Sequence, residues 1–200
     1  MPADLLSALP AAVLFALVTT ITPGPNNTML LASGVNFGLK RTVPHLLGIS
    51  AGVAFLMLAV GLGLAQAFER FAWLYTVLET ASVVYLLYLA WKIGTSSSVQ
   101  ARDGERRPMR FYEAVAFQWV NPKAWVMAVT AMATYTIPDI YLASVLIVGG
   151  AFAVVNVPSV STWAGFGSAL RDWLSEPTRL KWFNITMAVL LVLSLWPLLK

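Results

Sequence analysis

The chain has 200 residues, 58% of them hydrophobic and 11% charged, with a formal net charge of +4 and no cysteine. A charged fraction this far below the roughly one quarter of ordinary globular domains marks a chain that meets lipid rather than water, and spans of about 20 apolar residues each leave no room for a large domain outside the bilayer. Disulfides, thiolate metal sites and cysteine nucleophiles are excluded, and no basic tract interleaved with aromatics offers a nucleic-acid surface.

Six apolar segments follow in order, at residues 5–37, 43–68, 71–93, 111–135, 140–163 and 182–199. Backbone N–H and C=O groups find no partner in lipid, so each span is a helix or a strand of a closed barrel. Segment length and the lack of period-two alternation predict helices. The first segment carries Asp4 instead of a leading lysine or arginine cluster and runs past any plausible cleavage point, so it reads as an uncleaved span. It is interrupted by Thr22-Pro23-Gly24-Pro25-Asn26-Asn27. The second opens at Pro44 and His45 and carries Gly48 and Gly52, a small-residue face suited to close helix packing. The third holds Glu79 and ends at Tyr85-Leu86-Leu87-Tyr88-Leu89-Ala90-Trp91-Lys92. Residues 94–110, GTSSSVQARDGERRPMR, have the composition of a polar, basic linker and separate residues 1–93 from 111–200, three spans on each side. The fourth segment is interrupted by Trp119-Val120-Asn121-Pro122-Lys123-Ala124, and the fifth contains Gly149-Gly150, Asn156 and Pro158, of which the glycines and proline suit packing or a kink.

Lysines and arginines concentrate in alternate connections. Lys40, Arg41, Lys92, Arg102, Arg106, Arg107, Arg110, Arg171, Arg179 and Lys181 belong to the first, third and fifth, against Arg70 and Lys200 on the opposite side. The positive-inside rule then places those three connections in the cytoplasm and both termini outside it. Trp73, Trp91, Trp163, Trp173, Trp182 and Trp196 fall near segment ends, the depth an amphipathic indole prefers. With three spans per half, the second half enters the membrane from the opposite side, which is an inverted repeat. That architecture expects the break in the first span to have a counterpart in the fourth. Asn26 stands 14 residues before Lys40 and Asn121 stands 11 after Arg110. At about 1.5 Å per residue both lie roughly 15 to 20 Å inside, near the middle of a hydrocarbon layer about 30 Å thick.

Pro23 and Pro25 remove N–H donors, and Gly24 lets the chain turn sharply. Backbone groups thus leave the helical ladder at a depth where only protein or a watery cavity can satisfy them. Helix ends meeting there could present N–H groups to a carboxylate and carbonyls to an ammonium, the two needs of a zwitterion. The plainer alternative is a proline kink that only shapes packing, and the second Asn-Pro break at like depth weighs against it.

Thr22-Pro23-Gly24-Pro25-Asn26, the Tyr85–Lys92 end of the third span and Asn121-Pro122-Lys123-Ala124 in the fourth resemble the LysE/RhtB family of amino-acid exporters, and the likeness covers nearly the whole chain. Within the family, Thr-Pro-Gly-Pro-Asn-Asn together with Gln118 in the fourth span is most similar to the branch exporting cysteine and O-acetylserine. The resemblance implies export of a small amino acid or derivative from the cytoplasm across the bacterial inner membrane, driven by the proton gradient.

Thr22, Pro23, Gly24, Pro25, Asn26, Asn27, Gln118, Asn121, Pro122 and Lys123 are accordingly the candidate substrate contacts, with Asn156 as a further polar group. Lys123 either holds the substrate carboxylate or joins proton coupling, unless its long stem carries the charge to the interface. Glu79 is a proton carrier or a partner for Lys123 if it lies within the membrane, and an interfacial carboxylate if the third span begins later. His45 can titrate near neutrality, although a lone histidine by a basic loop is more often interfacial. No His-Glu-x-x-His, Gly-x-Ser-x-Gly, phosphate-binding glycine loop or cluster of acids and histidines points to an enzyme or a metal centre, and no cofactor is called for. The expectation is an all-α integral membrane protein of six transmembrane helices, arranged as two inverted three-helix repeats with broken first and fourth helices. A homodimer is its plausible assembly. The competing readings are a noncatalytic membrane scaffold and an exporter of another small solute.

Overall fold

The computed structural model describes residues 3–96 and 107–196. They form helices α1 (Ala3–Ile21), α2 (Pro25–Phe37), α3 (Leu39–Ala59), α4 (Ala65–Arg70), α5 (Trp73–Gly94), α6 (Phe111–Phe117), α7 (Pro122–Tyr135), α8 (Tyr141–Leu170) and α9 (Pro177–Leu193). A π-helical turn at Val60–Leu64 joins α3 to α4, a 3-10 turn at Gln118–Val120 joins α6 to the second break, and there is no strand among the described residues. Pro25, Pro122 and Pro177 each stand at the first turn of a helix, where the missing N–H costs nothing because no intrahelical partner awaits it.

Two departures from the expected boundaries have clear causes. The first connection shrinks to Gly38, whose φ of 78° favours glycine, and its N–H donates to Gly34 O at 2.9 Å to close α2. Lys40 and Arg41 therefore belong to the first turn of α3. The fifth segment, expected to end at Trp163, continues to Leu170 as one helix of 30 residues with Pro158 and both Gly149 and Gly150 inside it.

Three helices or joined helices among the described residues are long and apolar enough to cross a membrane, Leu39–Arg70, Trp73–Gly94 and Pro138–Leu170, and α1 with α2 makes a fourth candidate bent by 53°. The fourth segment is divided into pieces of 7, 3 and 14 residues, none long enough alone, and α9 has 17 residues.

Helix pairing follows a reciprocal pattern across residues 94–110. The broken pair α1 and α2 packs on α8, while the broken pair α6 and α7 packs on α3; α3 meets α8, and α5 meets α9. Small residues make the closest of these contacts. A Cβ on Gly34 would stand 2.3 Å from Ala164 O, and one on Gly167 would stand 2.2 Å from Leu31 O, so α2 and α8 touch backbone to backbone. Gly48 does the same for α3 and α6, where a Cβ would meet Phe111 O at 2.3 Å, and Gly52 lies against Gln118 Cγ and the Val115 backbone. The packing role expected of Gly48 and Gly52 is the one they have; Gly34 and Gly167 carry an equal role that spacing did not reveal. Around these contacts Leu30, Ile49, Leu56, Ala128, Val145 and Phe152 form the main core, and Leu86, Phe117 and Leu191 a second one between α5, α6 and α9.

Candidate functional site

The first break can be derived one carbonyl at a time. In a continuous helix the N–H groups of residues 23 and 25 would bond Thr19 O and Ile21 O, and Pro23 and Pro25 have none to give. Each orphan finds a side-chain donor: Thr22 Oγ1 to Thr19 O at 3.0 Å, Trp163 Nε1 to Ile21 O at 3.0 Å, and Asn27 Nδ2 to Thr20 O at 2.8 Å and to Thr22 O at 2.7 Å. Lys123 Nζ donates to Thr22 O at 2.8 Å, Thr22 Oγ1 at 2.9 Å and Pro23 O at 3.3 Å. A cation at the negative end of α1 is also favoured by the helix dipole. Gly24 leaves room beside it, since a Cβ there would stand 2.8 Å from Lys123 Cδ and the lysine side chain would have to shift.

The second break is more self-contained. Asn121 is extended at φ −96° and ψ 104° and precedes Pro122, the first residue of α7. Its N–H donates to Gln118 O at 3.3 Å, its carbonyl accepts from Ala124 N at 3.0 Å, and Trp125 Nε1 donates to Trp119 O at 3.0 Å.

Amides join the two breaks. Asn26 Nδ2 donates to Gln118 Oε1 at 2.9 Å while Gln118 Nε2 donates back to Asn26 Oδ1 at 3.0 Å and also to Ala114 O at 3.0 Å. Asn121 Nδ2 adds a bond to Gln118 Oε1 at 3.2 Å. Next to this pair lies a cavity of about 20 Å³ lined by Thr19, Thr20, Gly24, Asn27, Asn121 and Lys123, among others. Two of its lining residues, Asn27 and Asn121, have a buried Oδ1 with no hydrogen-bond partner among the described residues.

A second cavity of about 730 Å³ opens at the end of the bundle that carries Lys92 and Arg107, with Met29, Asn36, His45 and Tyr85 on its walls. Asn26 and Met29, one helical turn apart on α2, belong to the small and the large cavity respectively, and Phe117, one residue from Gln118, packs on Tyr85 at 5.6 Å between ring centroids. Glu113, bound to Arg107 and accepting the Arg110 N–H at 2.7 Å, anchors the start of α6 at the rim.

The structure therefore brings Thr22, Pro23, Gly24, Asn26, Asn27, Gln118, Asn121 and Lys123 together, with Pro25 and Pro122 opening the two helices that leave the site. Asn156 joins them through the small cavity, where its Nδ2 donates to Ser50 Oγ at 3.4 Å. Glu79 does not join: it is exposed on α5, and no ion pair links it to Lys123 among the described residues. His45 is buried within the bundle at 2% exposure, and its ring nitrogens have no hydrogen-bond partner among the described residues. Trp163 serves the first break, because an indole N–H is the donor that Pro25 took from Ile21 O. Trp125 plays the corresponding part at the second break; its place three residues after Pro122 was the available signal, though tryptophan is common enough in apolar chains to mask it.

The family described as LysE type translocator matches residues 17–194. The cysteine/O-acetylserine efflux proteins of Escherichia coli (strain K12) and Shigella flexneri are each 32% identical to the chain over 181 residues, covering 89% of it and 90% of the relative. No solved structure gives a significant match. The chain is a multi-pass membrane protein and a member of the LysE family of translocators.

Proposed function

We propose that the chain exports a small amino acid or amino-acid derivative from the cytoplasm, by alternating access around the two helix breaks. The single observation that carries this reading is the reciprocal Asn26–Gln118 amide pair, which ties the break in one half of the chain to the break in the other beside a polar cavity. The printed names of the relatives, efflux proteins for cysteine and O-acetylserine, make amino acids of that size the first substrates to test. In this reading six spans form two inverted three-helix halves, 1–93 and 111–200, and the reciprocal helix pairing supports it. The basic end of the bundle faces the cytoplasm and both termini lie outside, in a bacterial inner membrane. The 730 Å³ cavity is then the cytoplasmic entrance, and the Asn26–Gln118 pair with Phe117 is the barrier that a substrate crosses.

The N–H groups in the first turn of α2, which have no intrahelical acceptor, suit the substrate carboxylate. Lys123 acts here as a fastener for the first break, so its part in proton coupling would require it to release Thr22 and Pro23 during the cycle. His45, neutral or charged, is the second coupling candidate because it lies on the wall of the entrance. The homodimer remains part of this proposal without an assigned surface.

Export from bacterial cells loaded by dipeptide feeding tests the reading, comparing wild type, Gln118→Leu and an empty vector at matched membrane levels. Wild type should release cysteine, O-acetylserine or another small amino acid in excess of the empty vector, and Gln118→Leu should release none. No excess for any of cysteine, O-acetylserine, threonine, leucine and lysine would contradict it and favour a scaffold or a carrier of another solute.

A further inference from the structure

The amides that line the small cavity have fixed orientations. Amide orientation is fixed by bonding: Asn27 Nδ2 is committed to two backbone carbonyls, and Asn121 Nδ2 to Gln118 Oε1, which itself cannot donate. Turning either amide over would set a carbonyl oxygen against another oxygen. Both Oδ1 atoms are therefore held as acceptors, and both lack a donor at 3% and 2% residue exposure. Thr19 Oγ1, on the same wall, gives its proton to Phe15 O at 2.6 Å and retains only acceptor capacity. Of the donors on the wall, Lys123 Nζ is already bound to three oxygens of the first break, and Asn156 Nδ2 donates to Ser50 Oγ at 3.4 Å.

We infer that this cavity is the seat of the substrate's ammonium group, with Asn27 Oδ1 and Asn121 Oδ1 as its two principal acceptors and Thr19 Oγ1 as the third. Three acceptors match the three N–H bonds of a primary ammonium. About 20 Å³ holds one group the size of a water molecule and not a whole amino acid, so the head group seats here and the rest of the substrate requires the walls to part. The inference rests on the proposed function and adds its recognition rule: a free amino group is required, and an acylated nitrogen, which is uncharged and bulky, is refused.

The test uses the full chain in proteoliposomes. Labelled cysteine, O-acetylserine, threonine, leucine and lysine are offered in turn, and the first that moves is competed with its own N-acetyl derivative and its own methyl ester. O-acetylserine is the most incisive case, because N-acetylserine is its isomer and differs only in which atom carries the acetyl group. The N-acetyl compound should compete at least about tenfold more weakly than the parent, since a buried polar site rejects a ligand that leaves its groups unpaired, while the methyl ester, which keeps the ammonium, should still compete. In Asn121→Leu the ratio between parent and N-acetyl compound should shrink, a change that altered folding or expression alone does not produce. Equal competition by the N-acetyl compound would overturn the inference and leave the exporter reading intact. Movement that needs sodium, with no preference for the free amine, would overturn it in favour of a metal cation in the cavity. Failure of all five amino acids to move would overturn both.

Discussion

The two helix breaks solve the same problem in opposite ways. At the first, the carbonyls freed by Pro23 and Pro25 draw donors from far along the chain, Lys123 and Trp163, together with Asn27 nearby. At the second, a 3-10 turn, one extended residue and Trp125 supply nearly everything within eight residues, Gln118 to Trp125. The first break is thus built by the second half of the chain, whereas the second break largely builds itself. A change that loosens the second half should open the first break before it opens the second, and this asymmetry makes the halves dependent on each other at the site.

Lys123→Met should have the largest effect. It removes three bonds from the end of α1 and leaves Pro23 O without its donor, so a destabilisation of about 1.5–3 kcal/mol is expected from the lost charged hydrogen-bond donor. Thermal unfolding in detergent would read it, together with loss of export. Paired tryptophan replacements sharpen the comparison at smaller size. Trp163→Phe and Trp125→Phe each remove one indole N–H from one carbonyl and should each cost about 1–2 kcal/mol. Only Trp163→Phe, which severs a bond between the halves, should also slow export in protein that remains folded. Equal effects of the two on export would break the comparison. Glu79→Gln should be the mildest change, within about 0.5 kcal/mol in stability as an exposed position with no bonded partner in the site, and export should be unchanged. A loss of proton-coupled export in that variant would restore Glu79 to the transport path.

The sequence made some of this legible and hid the rest for physical reasons. Prolines and glycines act on the backbone they occupy, so Thr22–Asn27 and Asn121–Pro122 announced both breaks, and Gly48 and Gly52 announced a close contact. Pairing between distant side chains leaves no local trace. The reciprocal Asn26–Gln118 bond joins residues far apart in the chain, and nothing in the spacing of either residue names the other. Trp163 reads as an interfacial residue because the fifth apolar segment ends there, but α8 runs on to Leu170, and its indole N–H bonds Ile21 O at the first break. Position along the chain does not reveal the helix face on which Glu79 or His45 lies. Which face of the helix each occupies decided the outcome, exposed for Glu79 and buried for His45, and that follows from packing against α8 and α6 for the helix bearing His45 and against α9 for the helix bearing Glu79.

The most direct test of a substrate site between the breaks exploits the absence of native cysteine. Val53→Cys and Met127→Cys place single thiols on the wall of the small cavity, and Leu87→Cys places one on the exposed face of α5. Each variant, in membranes, is labelled with a small permeant thiol reagent with and without the exported amino acid. The account predicts that the amino acid slows labelling at positions 53 and 127 and leaves position 87 unaffected. Equal labelling rates with and without the amino acid at all three positions, in variants that still export, would place the substrate elsewhere and contradict it.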